Sequence, residues 1–122
     1  LLKERVKNKE PLENIVTTFV TDMSYLFYKD TNFNDNISHW DVSNVTLMNG
    51  MFGYAISFNQ DISTWCVTNI TEEPVNFSIG SSLEENNKPD WGFCNFVKLS
   101  YYTECRIFHN CENISYNYNW NV

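Results

Sequence analysis

The sequence lacks the motifs on which most enzymes and metal sites depend. Only four glycines occur among 122 residues, and there is no glycine-rich phosphate loop, Gly-x-Ser-x-Gly or His-Glu-x-x-His motif. The two histidines, His39 and His109, stand alone. Asp30, Asn32 and Asn34 have the spacing of a calcium loop, but the central glycine and the final glutamate of such a loop are missing. We therefore expect a protein without catalytic activity, cofactor or bound metal.

Positive charge and long apolar runs are also scarce. Eight Lys and Arg residues face fifteen Asp and Glu residues, which gives a net charge of −7. The main basic cluster, in residues 3 to 9, alternates with glutamate and is interpreted as one solvated helix face. No apolar run approaches the roughly 20 residues of a membrane-spanning helix. The composition thus argues against a nucleic-acid partner and against a membrane span.

Cysteines and glycosylation sequences favour an oxidising location. The four cysteines are even in number and lack Cys-x-x-Cys spacing, which favours disulfides over zinc. They are Cys66, Cys94, Cys105 and Cys111. Five Asn-x-Ser/Thr sequences are candidates for N-linked glycans, at Asn36, Asn44, Asn69, Asn76 and Asn113. We expect an extracellular, cell-surface or virion-surface protein.

The chain repeats itself with a period of 25 residues. Residues 20–44 and 45–69 are identical at eleven of 25 aligned positions, most of them large apolar or turn-forming residues. Such a period is typical of coils that bury an inner face by stacking on one another. The first half of each copy has the apolar spacing of one or two helical turns, and the second half predicts a short strand with a bend. We expect a buried ladder that includes Met23, Phe27, Met48, Met51 and Phe52.

The repeat pattern also predicts the organisation of the chain. Residues 1–19 form an N-terminal cap with a short amphipathic helix that ends before Pro11, and 20–44 and 45–69 are regular coils. A third coil begins at Ile70 and reaches Phe77, which aligns with Phe52 at the same offset of 25, but Pro74 and later loop residues interrupt it. Residues 70–94 are thus a degenerate coil and cap, and 95–122 are an irregular tail rich in Tyr and Asn.

The segment 45–65, VTLMNGMFGYAISFNQDISTW, resembles the BspA-type surface-repeat family, first described as a Mycoplasma domain of unknown function. The resemblance covers residues 1 to 94 and leaves the tail outside. It implies a leucine-rich-repeat-like solenoid on a surface-associated or secreted protein, often linked to adhesion or protein binding; similar arrays occur in large DNA viruses. It also pairs Cys66 with Cys94. Cys105 and Cys111 would then close the tail on itself, unless they pair between chains.

Repeat and resemblance together predict a short right-handed α/β solenoid of leucine-rich-repeat type, with a helical N-terminal cap and a disulfide-tied C-terminal cap. The predicted function is that of a non-catalytic extracellular interaction or adhesion module. Its short strands, around residues 37–42 and 62–67, would present His39, Asp41 and Thr64 to a protein partner. The alternative is a structural subunit of a glycosylated virion, filament or surface layer, which self-assembles when the tail docks on the next copy.

Overall fold

The structure is a computed structural model that describes residues 1–94. The tail, with Cys105, Cys111 and Asn113, lies outside the described residues. One α-helix, α1 (Leu2–Lys7), begins the chain, and one 3-10 turn spans Glu85–Asn87. Helix α1 buries Leu2 and Val6. The amphipathic helix predicted at this end is therefore present, and it ends at Lys7, before Pro11.

The predicted α/β solenoid of leucine-rich-repeat type is wrong. Residues 1–94 contain no β-strand, and their strand-like pairing is limited to two isolated bridges. One bridge pairs Asp22 with Leu47 in parallel, and the other pairs Cys66 with Cys94 in antiparallel. The strands expected at 37–42 and 62–67 are replaced by turns, and the helical turns expected in the first half of each copy are absent.

Short polar side chains explain why the second half of each copy does not form strands. The Asn36 side-chain oxygen accepts the backbone N–H of Ser38 at 3.0 Å, and the Asp41 carboxylate accepts that of Ser43 at 3.0 Å. The Trp40 N–H donates to the carbonyl of Ile37, three residues back, at 3.1 Å. Such local bonds compete with the ladder of a sheet and turn the chain every few residues.

In the first half of each copy, alternate amides bond to the next copy instead of closing a helix. The N–H groups of Met23, Tyr25, Phe27 and Lys29 donate to the carbonyls of Leu47, Asn49, Met51 and Gly53 at 2.7 to 2.8 Å. Intervening amides close tight turns, as where Leu26 donates to Met23 at 3.3 Å. Because every second amide points to the neighbouring copy, the i to i−4 bonding of an α-helix is not available to this segment.

The third segment lies one residue out of the 25-residue register. Gly50 donates to Val75 and Tyr54 to Ile79, a separation of 25 where the preceding pairs are separated by 24. The positive backbone φ of Gly50, at 62°, recurs at Asn76, at 57°, 26 residues later. An extra residue has therefore entered the chain before residue 74.

This shift changes which side chains are equivalent. The N–H of Met51 donates to Met48, and the corresponding bond in the third segment joins Phe77 to Pro74. Phe77 thus occupies the place of Met51, so its sequence alignment with Phe52 is wrong by one residue. Its ring meets Phe52 edge-on, with an interplanar angle of 89°.

The core is a continuous ladder of apolar side chains. The rings of Phe27 and Phe52 stack at 5.6 Å, and those of Phe33 and Phe58 stack at 5.4 Å. The predicted ladder is confirmed, since Met23, Phe27, Met48, Met51 and Phe52 are all buried. Burial of each large apolar side chain contributes about 2 kcal/mol relative to exposure. This packing holds neighbouring segments together despite the lack of strands.

A disulfide and a half-buried cation hold residues 85–94 in place. Cys66 is bonded to Cys94, the pairing that the family resemblance implies. The Lys88 ammonium contacts the carboxylates of Glu73 at 2.7 Å and Glu85 at 2.6 Å. Burial acts to lower the pKa of Lys88, but the hydrogen bonds to both carboxylates outweigh it and raise the pKa. The disulfide ties Cys94 to the second copy, and the Lys88 contacts tie the 3-10 turn and the residue after it to Glu73.

Candidate interaction surface

The residues predicted to form a binding face do not share one pocket. His39 is exposed, its Nε2 lies 3.0 Å from the carbonyl oxygen of Glu13, and it lines an open depression of about 590 Å³. Neither Asp41 nor Thr64 lines that depression. Thr64 is half-buried at the position equivalent to His39 in the second copy. Their role in binding stays a prediction.

The Asp41 carboxylate accepts two hydrogen bonds within its own turn. Its Oδ1 accepts bonds from the hydroxyl of Ser43 at 2.6 Å and from the Ser43 backbone N–H at 3.0 Å. Hydrogen bonds from the Ser43 hydroxyl and backbone lower the pKa of Asp41, because they favour the charged form. The carboxylate therefore stabilises a turn, which is a sufficient reason for its place in the sequence.

Two of the candidate glycosylation sites hold neighbouring segments together. The Asn44 Nδ2 donates to the Thr18 carbonyl at 2.6 Å, and the Asn69 Nδ2 donates to the Ser43 carbonyl at 2.9 Å. This is the atom to which an N-linked glycan would attach. Asn36 and Asn76 are exposed, and no bond uses their Nδ2 atoms within residues 1–94. A glycan on Asn44 or Asn69 would therefore disturb a hydrogen bond between neighbouring segments, whereas one on Asn36 or Asn76 would disturb no bond of Nδ2 within residues 1–94.

Three exposed tyrosines form a continuous aromatic surface, here called the tyrosine strip (Tyr25, Tyr28 and Tyr54). The rings of Tyr25 and Tyr28 meet edge to face with centroids 5.5 Å apart, and those of Tyr28 and Tyr54 are 5.8 Å apart. Their exposed fractions are 56%, 39% and 41%. The Lys29 Nζ lies 5.4 Å from the centroid of the Tyr28 ring, within cation–π range. The strip is thus ordered by its own contacts and still open to solvent.

Each ring of the strip lies against a glycine of the next segment. A Cβ added at Gly53 would come within 2.7 Å of the Tyr28 ring, and one added at Gly80 would come within 2.5 Å of the Tyr54 ring. Tyr25 covers Gly50 in the same way. Sequence reasoning missed this surface, although the signal was present: Tyr25 and Tyr28 each precede a glycine by one repeat period.

A groove of about 510 Å³ adjoins the strip where α1 packs beside the first repeat copy. We call it the lysine groove, and its lining includes Lys3, Lys7, Lys9, Lys29, Tyr25 and Tyr28. Asp30 is the one carboxylate in the lining, so the groove has a net charge of +3. The chain as a whole carries −7. The groove is therefore a local inversion of the charge of the molecule.

Only part of this positive charge is neutralised. Lys9 contacts Asp30 at 2.6 Å, and Lys3 lies 3.5 Å from Asp22. Lys7 and Lys29 have no carboxylate partner within residues 1–94. Arg5 turns away from the groove to contact Glu10 at 2.9 Å. The fold thus divides the basic cluster: its three lysines line the groove, and its arginine does not.

Comparison with known proteins finds one matching family. A family model described as "Mycoplasma protein of unknown function, DUF285" matches residues 2–120. The chain belongs to the DUF285 family. No curated protein and no solved structure matches it. The match extends well past residue 94, where the sequence resemblance was expected to end.

The described part of this DUF285 chain was searched for metal sites and for membrane-spanning helices. Within the described segment, no cluster of three or more His, Cys, Asp or Glu side chains could hold a metal ion. Helices long and apolar enough to cross a membrane are likewise absent from residues 1–94. The strip and the groove are the features of the described surface that combine large rings with uncompensated charge.

Within residues 1–94, the third segment has backbone donors without a backbone acceptor. Asn76, Ser78 and Gly80 correspond in register to Gly50, Phe52 and Tyr54, whose amides donate to the next segment. The amides of the three later residues have no backbone acceptor within residues 1–94. This edge is a second surface able to contact another chain.

Proposed function

We propose that the chain is a non-catalytic protein-interaction module of an extracellular or other surface-located protein, with the tyrosine strip as its contact surface. The observation that carries the proposal is the ordered but exposed line of Tyr25, Tyr28 and Tyr54. Tyrosine is enriched at interfaces because its large, stiff ring loses little entropy on binding, and its hydroxyl can hydrogen-bond.

The glycine pairing supports this assignment. Glycines beside the rings leave the space that each ring occupies against the backbone of the next segment, where a Cβ would collide with it. A preorganised side chain loses less conformational entropy when a partner binds. Exposed aromatic surface also costs solubility, and its presence in a line favours a functional reason over chance.

The extracellular setting rests on the disulfide and the accessible sequons. A bond such as Cys66–Cys94 persists in oxidising compartments and is rare in reducing ones. We propose that glycans, where present, occupy Asn36 and Asn76 rather than Asn44 and Asn69, because the Nδ2 atoms of the latter pair bond to a neighbouring segment. Glycopeptide mass spectrometry of protein from its native source tests this, and occupancy confined to Asn44 and Asn69 would contradict it.

Selection from a library of random displayed peptides on the immobilised 122-residue chain tests the interaction function. Selected peptides should bind the wild type and lose most of their binding to the double variant Tyr28→Ala/Tyr54→Ala. The matched control is Phe19→Ala/Phe93→Ala, which removes two aromatic side chains that are 87% and 50% exposed outside the strip. Folding of each variant is checked by its unfolding midpoint, and the single variant Tyr54→Ala repeats the test at one ring. Failure to select any peptide, or equal loss in the control, overturns the proposal.

The second candidate function is structural self-assembly, which the open amides of Asn76, Ser78 and Gly80 favour. A head-to-tail contact through such an edge generates open filaments when it does not close into a ring. Light scattering coupled to size-exclusion chromatography, over a hundredfold range of concentration, separates the two candidates. Growth of ordered assemblies would support the structural role, and a monomer at every concentration would exclude it.

A further inference from the structure

We propose that the lysine groove, together with the adjoining tyrosine strip, binds an acidic peptide segment of a protein partner. The inference rests on the proposed interaction function and adds the chemistry of the partner. It starts from charge: the groove carries +3 on a chain of −7. An acidic segment is therefore attracted to this surface and repelled by the rest of the molecule, which fixes where it binds.

Two lysines of the groove are available to a ligand. The ammonium groups of Lys7 and Lys29 have no carboxylate contact in the described part of the chain, whereas those of Lys3 and Lys9 do. Lys29 is held above the Tyr28 ring, so its charge is kept beside the strip. Lys3 and Lys7 are one turn of α1 apart, which places their side chains on the same helix face. The groove therefore offers uncompensated charges along its length, with Lys29 placed beside aromatic surface.

The residue types favour carboxylates over phosphates. Arginine is the side chain that binds phosphate through two parallel bonds, and Arg5 is turned to Glu10 instead of lining the groove. The lysine ammonium is a compact charge that can donate hydrogen bonds to a carboxylate approaching from many directions. Asp30 lies in the lining and would repel a continuous phosphate backbone more than separated acidic side chains. A nucleic acid is thus the weaker match, even though its charge has the same sign.

The tyrosines add an aromatic contact surface to the charges of the groove. Tyr25 and Tyr28 belong both to the strip and to the groove lining, so a segment that places carboxylates on Lys7 and Lys29 also meets two rings. Aromatic or aliphatic side chains of the partner can pack on these rings, while their hydroxyls remain available to carboxylates and backbone carbonyls. The expected ligand is an extended peptide in which Glu or Asp alternates with apolar or aromatic residues.

The test uses a fluorescent decapeptide of alternating Glu and Tyr, and its Gln–Tyr counterpart, each titrated with the oxidised 122-residue chain. We expect the Glu–Tyr peptide to bind at least about tenfold more tightly than the Gln–Tyr peptide at low salt, and this margin to shrink at high salt. The double variant Lys7→Gln/Lys29→Gln should remove most of the margin. The control Arg5→Gln/Lys88→Gln makes the same charge change outside the groove and should preserve it.

Some outcomes would overturn only the acidic-peptide assignment, and others would also overturn the interaction function. Equal binding of the two peptides, or an equal effect of the two double variants, overturns the acidic-peptide assignment. So does tighter binding by a DNA or heparin oligomer of matched length. If selected peptides depend on the tyrosine strip but are neither acidic nor sensitive to Lys7→Gln/Lys29→Gln, this inference fails while the interaction function stands. If no peptide binds at all, both fail.

Discussion

Trp40 and Trp65 occupy equivalent positions in the two copies and differ in one hydrogen bond. The Trp65 indole Nε1 donates to the Ile37 carbonyl at 3.1 Å, in the preceding segment. The corresponding Trp40 Nε1 is buried and has no acceptor in the part of the chain that the structure describes. Their surroundings are otherwise alike: Trp40 lies 6.0 Å from Phe27 at 32°, and Trp65 lies 6.4 Å from Phe52 at 33°.

Substitution of each indole by phenylalanine isolates that bond. Trp65→Phe loses ring volume and one hydrogen bond, which contributes about 1 kcal/mol. The Ile37 carbonyl keeps the N–H of Trp40, so no acceptor is orphaned. Trp40→Phe loses the same volume but also removes a buried unpaired donor, whose desolvation costs about 1–3 kcal/mol. We expect Trp65→Phe to be less stable than Trp40→Phe by about 2 to 4 kcal/mol.

The assay is equilibrium urea unfolding of the full chain with its disulfide intact. Comparable m-values in the two variants would show that both lose the same folded surface on unfolding. The reasoning is refuted if Trp40→Phe costs as much as Trp65→Phe or more. That result would mean that the Trp40 indole donates to a partner in the folded protein or that the two cavities relax differently.

Three further predictions concern a glycine, a carboxylate and the disulfide. Gly50 and Gly92 both have positive φ, so alanine strains each backbone by about 1–2 kcal/mol, but only at Gly50 does the new methyl group collide with the Tyr25 ring. Gly50→Ala should therefore lower the free energy of unfolding by about 1–3 kcal/mol more than Gly92→Ala in thermal melts, and equal losses would contradict the ring contact. The native pKa of Asp41 is lowered, so its stabilisation is present above the unfolded pKa of about 3.9 and is lost as pH falls through the native value. Asp41→Asn should weaken the loss of unfolding free energy as pH falls below about 4. If the variant loses stability at low pH as steeply as the wild type, Asp41 does not contribute to the acid sensitivity. Reduction of the disulfide described above, which spans 28 residues, should destabilise the chain by about 3 kcal/mol in urea, and an unchanged midpoint would show that its loop is already constrained.

The apolar positions of the repeat could be predicted from sequence because they depend on spacing alone. Phe27 and Phe52, or Phe33 and Phe58, are one period apart, and any fold that places successive copies side by side brings such rings together. Burial follows from their size and needs no knowledge of the backbone. The core residues were therefore correct even though the secondary structure assigned to them was wrong.

The backbone conformation was missed because local polar bonds decide it. The Ile-Ser-x-Trp-x-Val pattern has strand-like composition, but Asn36 and Asp41 each capture an N–H two residues later and turn the chain. The family resemblance also favoured short strands, because it implies a leucine-rich-repeat-like fold. Periodicity reports which side chains are inside and gives little information on how the backbone between them is bonded.

Part of the candidate site is visible in the sequence. The sequence predicts a solvated helix face for the lysines of residues 3 to 9, because nothing nearby in the sequence completes a site. Lys29 and the tyrosines that complete the groove come about 20 residues later, from a different segment. The Tyr–Gly pairing at one period was the available signal, and it is meaningful only once the copies are known to lie in contact.

The bonding direction of the stack bears on the choice between a binding module and a building block. In the first half of each copy, backbone amides donate forward to the next segment. In the third segment, the amides of Asn76, Ser78 and Gly80 have no backbone acceptor within residues 1–94. Asn76 and Gly80 are exposed and Ser78 is half-buried, so water can satisfy these amides at little cost. Trp40, in the first copy, has the more costly donor, because its indole is buried and has no acceptor among the residues that the structure describes. An edge that water satisfies gives no strong drive for head-to-tail assembly, whereas the rings and unpaired lysines of the strip and groove gain from contact with a partner. The balance of these costs favours binding through the side of the stack over growth at its end.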